Sequence, residues 1–153
     1  MERIASFQID HDKLTPGLYI SRVDGDCVTY DLRMKTPNRG DYVTPKAIHT
    51  LEHLLATALR NSARSSEAVY IGPMGCRTGM YVVFRDSVSP EEALALIREA
   101  FAWAAAYTGA IPGATPKECG NAAEHDPEGA RQEAEAYLKV LERCSKDTFG
   151  YPE

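Results

Sequence analysis

No stretch of the 153-residue sequence is apolar over the roughly 20 residues that a membrane-crossing helix needs, so a helical membrane protein is excluded. A basic stripe is also missing. Seventeen Lys and Arg stand against 22 Asp and Glu, a formal net charge of −5, which disfavours a nucleic-acid partner. Cysteine is sparse: four residues, at 27, 76, 119 and 144, with no Cys-x-x-Cys pair, which argues against a zinc ribbon and against a disulfide framework. Met1 to Ser6 lack the apolar core of a secretory signal, so a reducing cytoplasm is the expected compartment and thiols the expected state of the cysteines. Repeats and low-complexity tracts are absent. What is present is ordinary for a globular chain, 44% apolar and 25% charged, and its length suits a single domain over residues 1–153.

One run carries chemistry: His49-Thr50-Leu51-Glu52-His53. Helical positions four apart differ by about 40° in azimuth and about 6 Å in rise, so two imidazoles at that spacing can grip one metal ion. Glu52 falls on nearly the same face and can aim a carboxylate at whatever the ion holds. The run sits in a predicted helix that opens with Thr44 as N-cap and Pro45 at the first helical position and extends to about Asn61. Its apolar stripe, with Ile48, Leu51, Leu55 and Leu59, only partly overlaps the histidine face, so the metal edge borders the core.

Around this helix the chain alternates in character. A mixed arm over residues 1–16 precedes two β-prone runs, Leu18–Val23 and Cys27–Leu32, which read as a hairpin about Asp24-Gly25-Asp26. Two further strands, Glu67–Ile71 and Met80–Phe84, flank a glycine-rich loop. Ser89-Pro90-Glu91-Glu92 reads as a capping box opening a helix to Tyr107, and Thr115–Glu118 as a second box good for one turn before Cys119. Asp126-Pro127 starts a last helix through about Cys144, and the segment from Phe149 reads as irregular. The order favours an α+β fold in which helices cover a mostly antiparallel sheet.

A catalytic metal site wants three protein ligands and one open position, which His49, His53 and a thiolate would supply. Cys27 and Cys144, in a strand and at a helix end, read as packing. Cys76 and Cys119 both lie in turns beside glycine, and the physics of the sequence does not choose between them. An alternative is a metal-dependent hydrolase, because His-x-x-Glu-His is also the inverted zinc-peptidase signature; the short chain and the cysteine ligand count against it. A closed structural metal module is a third reading. It needs a fourth ligand, and His125 is the only candidate near Cys119.

Five fragments in order, Ser6-Phe7-Gln8-Ile9-Asp10-His11, Asp31-Leu32-Arg33, His49 to Ala56, Gly72 to Gly79 and Glu118-Cys119-Gly120-Asn121, resemble the S-ribosylhomocysteine lyase family. The resemblance covers the chain from Ser6 to about Ala130. It implies an α+β homodimer whose active sites are shared between subunits, and a cytoplasmic enzyme whose product is the precursor of autoinducer-2. It matches His49, His53 and Cys119 to metal ligands and Glu52 and Cys76 to the two acid/base residues. Arg33 and Ile71 match substrate contacts, as do Ser6, Phe7 and His11, reached across the subunit interface. One divalent ion per subunit is implied, Fe(II) in the cell, with Zn(II) or Co(II) able to substitute. Locally, Arg33 at a strand end reads as a surface charge, Phe7 as core and His11 as exposed. The chain departs from the family where Tyr70 replaces an acidic residue, and again at Leu18-Tyr19-Ile20-Ser21.

The implied chemistry suits these residue types. The carbonyl of S-ribosylhomocysteine must move from C1 to C2 and then to C3 before the thioether at C5 can leave by β-elimination, and each move is a proton transfer. A divalent ion stabilises the enediolates as a Lewis acid. Cys76, as thiolate, would carry protons between carbons, and Glu52 those on oxygen.

Overall fold

A computed structural model describes residues 1–153. Strands β1 (Gly17–Asp24) and β2 (Cys27–Arg33) form the first hairpin, turning at Gly25, whose φ of 59° is the left-handed region where glycine carries no steric penalty. Helix α1 (Pro45–Arg60) leads to the second hairpin, β3 (Ala68–Pro73) and β4 (Gly79–Arg85), and α2 (Pro90–Ala106) and α3 (Pro127–Leu141) follow. The four strands make one antiparallel sheet in the order β1-β2-β4-β3, so the two hairpins join through β2 and β4.

Alternation along the central strands decides which face the helices cover. Val28, Tyr30 and Leu32 of β2 stand opposite Phe84, Val82 and Met80 of β4, and all six are buried against the helices. With Leu51, Leu55, Phe101 and Tyr137 they belong to one continuous cluster of 31 buried residues, which makes the α+β fold a single domain. The other face of β2 carries Thr29, Asp31 and Arg33. Close pairing of β2 with β4 depends on Gly79, where a Cβ would strike the Leu32 carbonyl. That approach lets the Thr78 carbonyl accept the N–H groups of Met34 and Lys35, each at 2.9 Å.

The elements match the expected ones, with differences at three points. Thr115–Glu118 forms a turn but no capping box, because the Thr115 hydroxyl donates to the Glu118 carboxylate at 2.6 Å. The Ser89 hydroxyl caps α2 by accepting the Glu92 N–H at 3.2 Å, but the Glu92 carboxylate turns away to Arg64, so only half of the box forms. Helix α3 stops at Leu141 rather than Cys144, where Arg98 Nη2 takes the carbonyls of Leu141 and Cys144 at 2.6 and 2.9 Å. Between it and the segment from Phe149, which is irregular as expected, Lys146–Thr148 forms a 3-10 turn with its own capping box. No helix is long and apolar enough to cross a membrane, and all four cysteines are free thiols.

Candidate metal centre and active site

Helix α1 carries His49, Glu52 and His53 along the edge of its buried face, after Thr44 caps it by accepting the Ala47 N–H at 3.3 Å. The two Nε2 atoms are 3.1 Å apart. On the far side of each ring, Nδ1 meets a backbone carbonyl, Glu124 at 2.7 Å for His49 and Pro112 at 2.8 Å for His53. A carbonyl can only accept, so both Nδ1 atoms carry the proton and both Nε2 atoms present lone pairs to one another.

Cys119 comes from the turn that begins at Thr115, whose carbonyl accepts the N–H groups of Glu118 and Cys119. Its Sγ is 3.5 Å from His49 Nε2. A fourth donor stands behind it, His125 Nε2, 4.0 Å from the sulfur and stacked on the His49 ring at 4.1 Å between centroids. Its tautomer is also decided by neighbours. The buried Thr50 hydroxyl donates to the Lys46 carbonyl at 3.0 Å and accepts the Asp126 N–H at 2.9 Å, so the His125 Nδ1 at 3.0 Å must be a donor to it. Nε2 of His125 therefore also faces inward with a lone pair. Burial, then the neighbouring His49 and His53, hold its pKa below the usual 6.5 and favour that neutral form.

Three imidazole lone pairs and a thiol sulfur thus converge, all donor atoms within 4.8 Å of one another. Lone pairs at such separations repel unless a cation lies among them. With bonds of about 2.0–2.1 Å to nitrogen and about 2.3 Å to sulfur, tetrahedral ligand atoms sit about 3.3 to 3.6 Å apart. The His49–His53 and His49–Cys119 separations of 3.1 and 3.5 Å fit that shell, while His125 at 4.0 Å lies just outside it. The donor set fits one borderline-soft divalent ion.

Half-buried Glu52 lines, with His49, Met74, Gly75 and Arg77, a cavity of about 380 Å³. The loop between β3 and β4 forms one wall and is pinned by Arg77, whose φ is 58° and whose carbonyl accepts the Val43 N–H at 3.0 Å. On the loop's other side exposed Cys76 lines a second cavity of about 320 Å³ with His11, Tyr42 and Thr78. Gly75 and Arg77 border both. Arg33 is only 1% exposed, which corrects its local reading as a surface charge. Its Nε and Nη2 reach the two Asp31 oxygens at 3.1 and 2.6 Å, and Nη1 reaches Thr78 Oγ1 at 2.7 Å, itself 3.1 Å from Cys76 Sγ. Burial works against this guanidinium's charge, but Asp31 outweighs it and keeps the pKa raised.

The expected residues fall into separate groups. His49, His53 and Cys119 are together with Glu52; Cys76 and His11 line the second cavity, with Arg33 buried behind Thr78. Ser6 and Phe7, in a 3-10 turn of the arm, and buried Ile71 on β3 line neither cavity. Phe7 is 65% exposed, against its local reading as core. Three residues that sequence reasoning does not assign to the site border it: His125, Thr50 and Thr78. A Cys-x5-His spacing was the available signal for His125.

The family model described as S-Ribosylhomocysteinase (LuxS) matches residues 4–147. The chain is 46% identical over 158 residues to the S-ribosylhomocysteine lyase of Phocaeicola vulgatus, covering 99% of this chain and 98% of that one. It is 42% identical to the lyase of Porphyromonas gingivalis over 159 residues and 40% identical to that of Clostridium acetobutylicum over 158, each covering 100% of both chains. With matches of this extent, the chain belongs to the S-ribosylhomocysteinase (LuxS) family.

Proposed function

We propose that this chain is an S-ribosylhomocysteine lyase that releases homocysteine and 4,5-dihydroxy-2,3-pentanedione, the precursor of autoinducer-2. The observation that carries the reading is the convergence of the inward-facing lone pairs of His49 and His53 with Cys119 Sγ, beside a carboxylate, in a chain 46% identical to a protein of that name. The relatives compared above carry the name of a lyase, which counts against the hydrolase alternative.

His49, His53 and Cys119 hold a divalent ion, Fe(II) in the cell, with Zn(II) or Co(II) as substitutes; His125 supports the set from just outside it. The ion supplies Lewis acidity toward the sugar oxygens. Glu52, half-buried on the cavity wall, takes and returns protons on oxygen. Cys76 takes a proton from C2 and delivers one to C1 in the first isomerisation. It repeats this from C3 to C2 in the second. Glu52 then helps the elimination by taking the C4 proton, and the C5–S bond breaks to release the homocysteine thiolate. Arg33 keeps a positive charge near the Cys76 side of the substrate, and Ser6, Phe7, His11 and Ile71 contact the remainder.

The enzyme acts as a cytoplasmic homodimer with shared sites, a reading supported by the exposed Phe7 on an arm that packs little against its own chain. Mixing His11→Ala with Glu52→Ala chains should restore activity in heterodimers; activity no higher than that of the separate variants would sink the shared site. The direct test of function is to incubate metal-loaded, reduced protein anaerobically with S-ribosylhomocysteine and titrate free thiol. Release of homocysteine is expected, and none would refute the lyase reading.

A further inference from the structure

The Cys76 side of the site continues past Arg33 to a residue far along the chain. Asp31 Oδ2, which accepts Arg33 Nη2, also accepts the Tyr151 hydroxyl at 2.8 Å, 120 residues away in sequence. Tyr151 lies outside the residues 4–147 that match the family model. It is held independently of that hydrogen bond. Its ring stacks on Tyr19 at 5.0 Å between centroids, and the Phe149 carbonyl before it accepts the Ile20 N–H at 2.8 Å, next to the bulge in β1. Burial and the adjacent Asp31 push the phenol pKa up, so the hydroxyl keeps its proton to donate.

Proton bookkeeping then runs in one direction along the network. Asp31 is fully buried and accepts from both Tyr151 and Arg33. Arg33 can only donate, so Thr78 Oγ1 is its acceptor at 2.7 Å. Thr78 is 2% exposed, and the one partner left for its own proton is Cys76 Sγ at 3.1 Å. A hydroxyl that donates to sulfur favours the thiolate over the thiol. The other charged or titratable groups facing Cys76 are Tyr81 from the sheet, His11 from the arm, and Tyr42 and Arg77 from the flanking loops.

We propose that Tyr151 is a positioning residue for Cys76: its hydroxyl fixes the Asp31–Arg33 pair, which holds Thr78 so that the Thr78 hydroxyl donates to Cys76 Sγ. The proposal rests on Cys76 being the reactive thiol of the lyase reading, but it is tested on the thiol itself.

The measurement is the rate of Cys76 alkylation by iodoacetamide in the full-length, metal-loaded protein, followed by peptide mass spectrometry from about pH 5 to about pH 9. Thr78→Val should slow alkylation near neutral pH about tenfold and move the profile to higher pH, and Thr78→Ser, which keeps the hydroxyl, should regain most of that rate. Tyr151→Phe keeps the ring stacked on Tyr19 and should slow alkylation about threefold with the same direction of shift. In turnover, Tyr151→Phe should lower kcat more than it raises KM. An unchanged alkylation profile in Tyr151→Phe overturns the proposal, and a lowered Tm with that unchanged profile assigns the tyrosine to folding alone. Failure of the wild-type protein to release homocysteine would refute the lyase reading and leave the alkylation result standing.

Discussion

At the metal centre the protein leaves charge to be supplied from outside, whereas on the sheet it balances charge internally. His49, His53 and His125 each spend their one proton outward, on Glu124, Pro112 and Thr50, and face one another with lone pairs. Arg33 and Asp31, fully enclosed, satisfy each other through two hydrogen bonds and pass the remaining donor to Thr78. A site of the first kind needs a cation to be at ease. A site of the second kind is complete without one, and its strength is a fixed direction of hydrogen bonding toward Cys76. One protein therefore presents two contrasting charge environments on either side of a single loop.

The sharpest way to break this comparison is to exchange the fates of the two cysteines. Cys119→Ala removes a donor from the shell and should abolish metal binding and turnover together. Cys76→Ala should retain a full metal complement and lose turnover by about 10³-fold, the size of a missing general acid/base. Metal content by elemental analysis, read beside thiol release, separates them. The reverse pattern would make Cys76 the ligand and dissolve the distinction between the two regions.

Next in size is the buried ion pair. Asp31→Asn leaves the Arg33 guanidinium enclosed without its counter-charge, and the expected loss is about 3–5 kcal/mol of folding stability. Urea unfolding should register that loss, while the metal content of the variant that remains folded stays at the wild-type level. Loss of metal with unchanged stability would place Asp31 in the wrong region.

Much of the metal side was legible in the sequence because its signals are local. Thr44-Pro45 opens α1, and four-residue spacing puts His49 and His53 on one edge. His125 was less so, since its alignment depends on a contact to Thr50 that spans 75 residues. The sheet side was nearly illegible. Arg33 closes a strand and reads locally as solvated; what buries it is the pairing of β2 with β4, which brings Thr78 alongside, and the return of Tyr151 to Asp31. Asp31 two positions earlier on the same strand face was the one available hint. The α3 terminus failed for a similar reason, because Arg98 from another helix supplies the donors that end it.

Thr50 sharpens the comparison on the metal side. Thr50→Val would remove the acceptor that fixes the His125 tautomer and would orphan the Asp126 N–H. Metal affinity should fall about tenfold, the lower end of what outer-shell partners contribute. Competition with a chromophoric chelator measures it. An unchanged affinity would mean that His125 has no influence on the ion, and that the shell ends at His49, His53 and Cys119.

The smallest effect concerns protons in place of the ion. In the folded, metal-free protein the His125 pKa lies below 6.5, lowered first by burial and then by His49 and His53. The unfolded chain protonates at about 6.5, so above that pH neither state binds the proton and the histidine contributes nothing to the pH dependence. As pH falls through about 6.5 toward the folded value, the unfolded state binds more protons, and stability is lost. Urea midpoints of the metal-free protein should decline between about pH 7 and pH 5, and less so in His125→Gln. The sheet pair has no imidazole in it, so Asp31→Asn should lower the whole curve without changing its slope in this window. A midpoint that is flat in wild type, or a slope that His125→Gln leaves intact, would show that the imidazole is not held neutral by its neighbours.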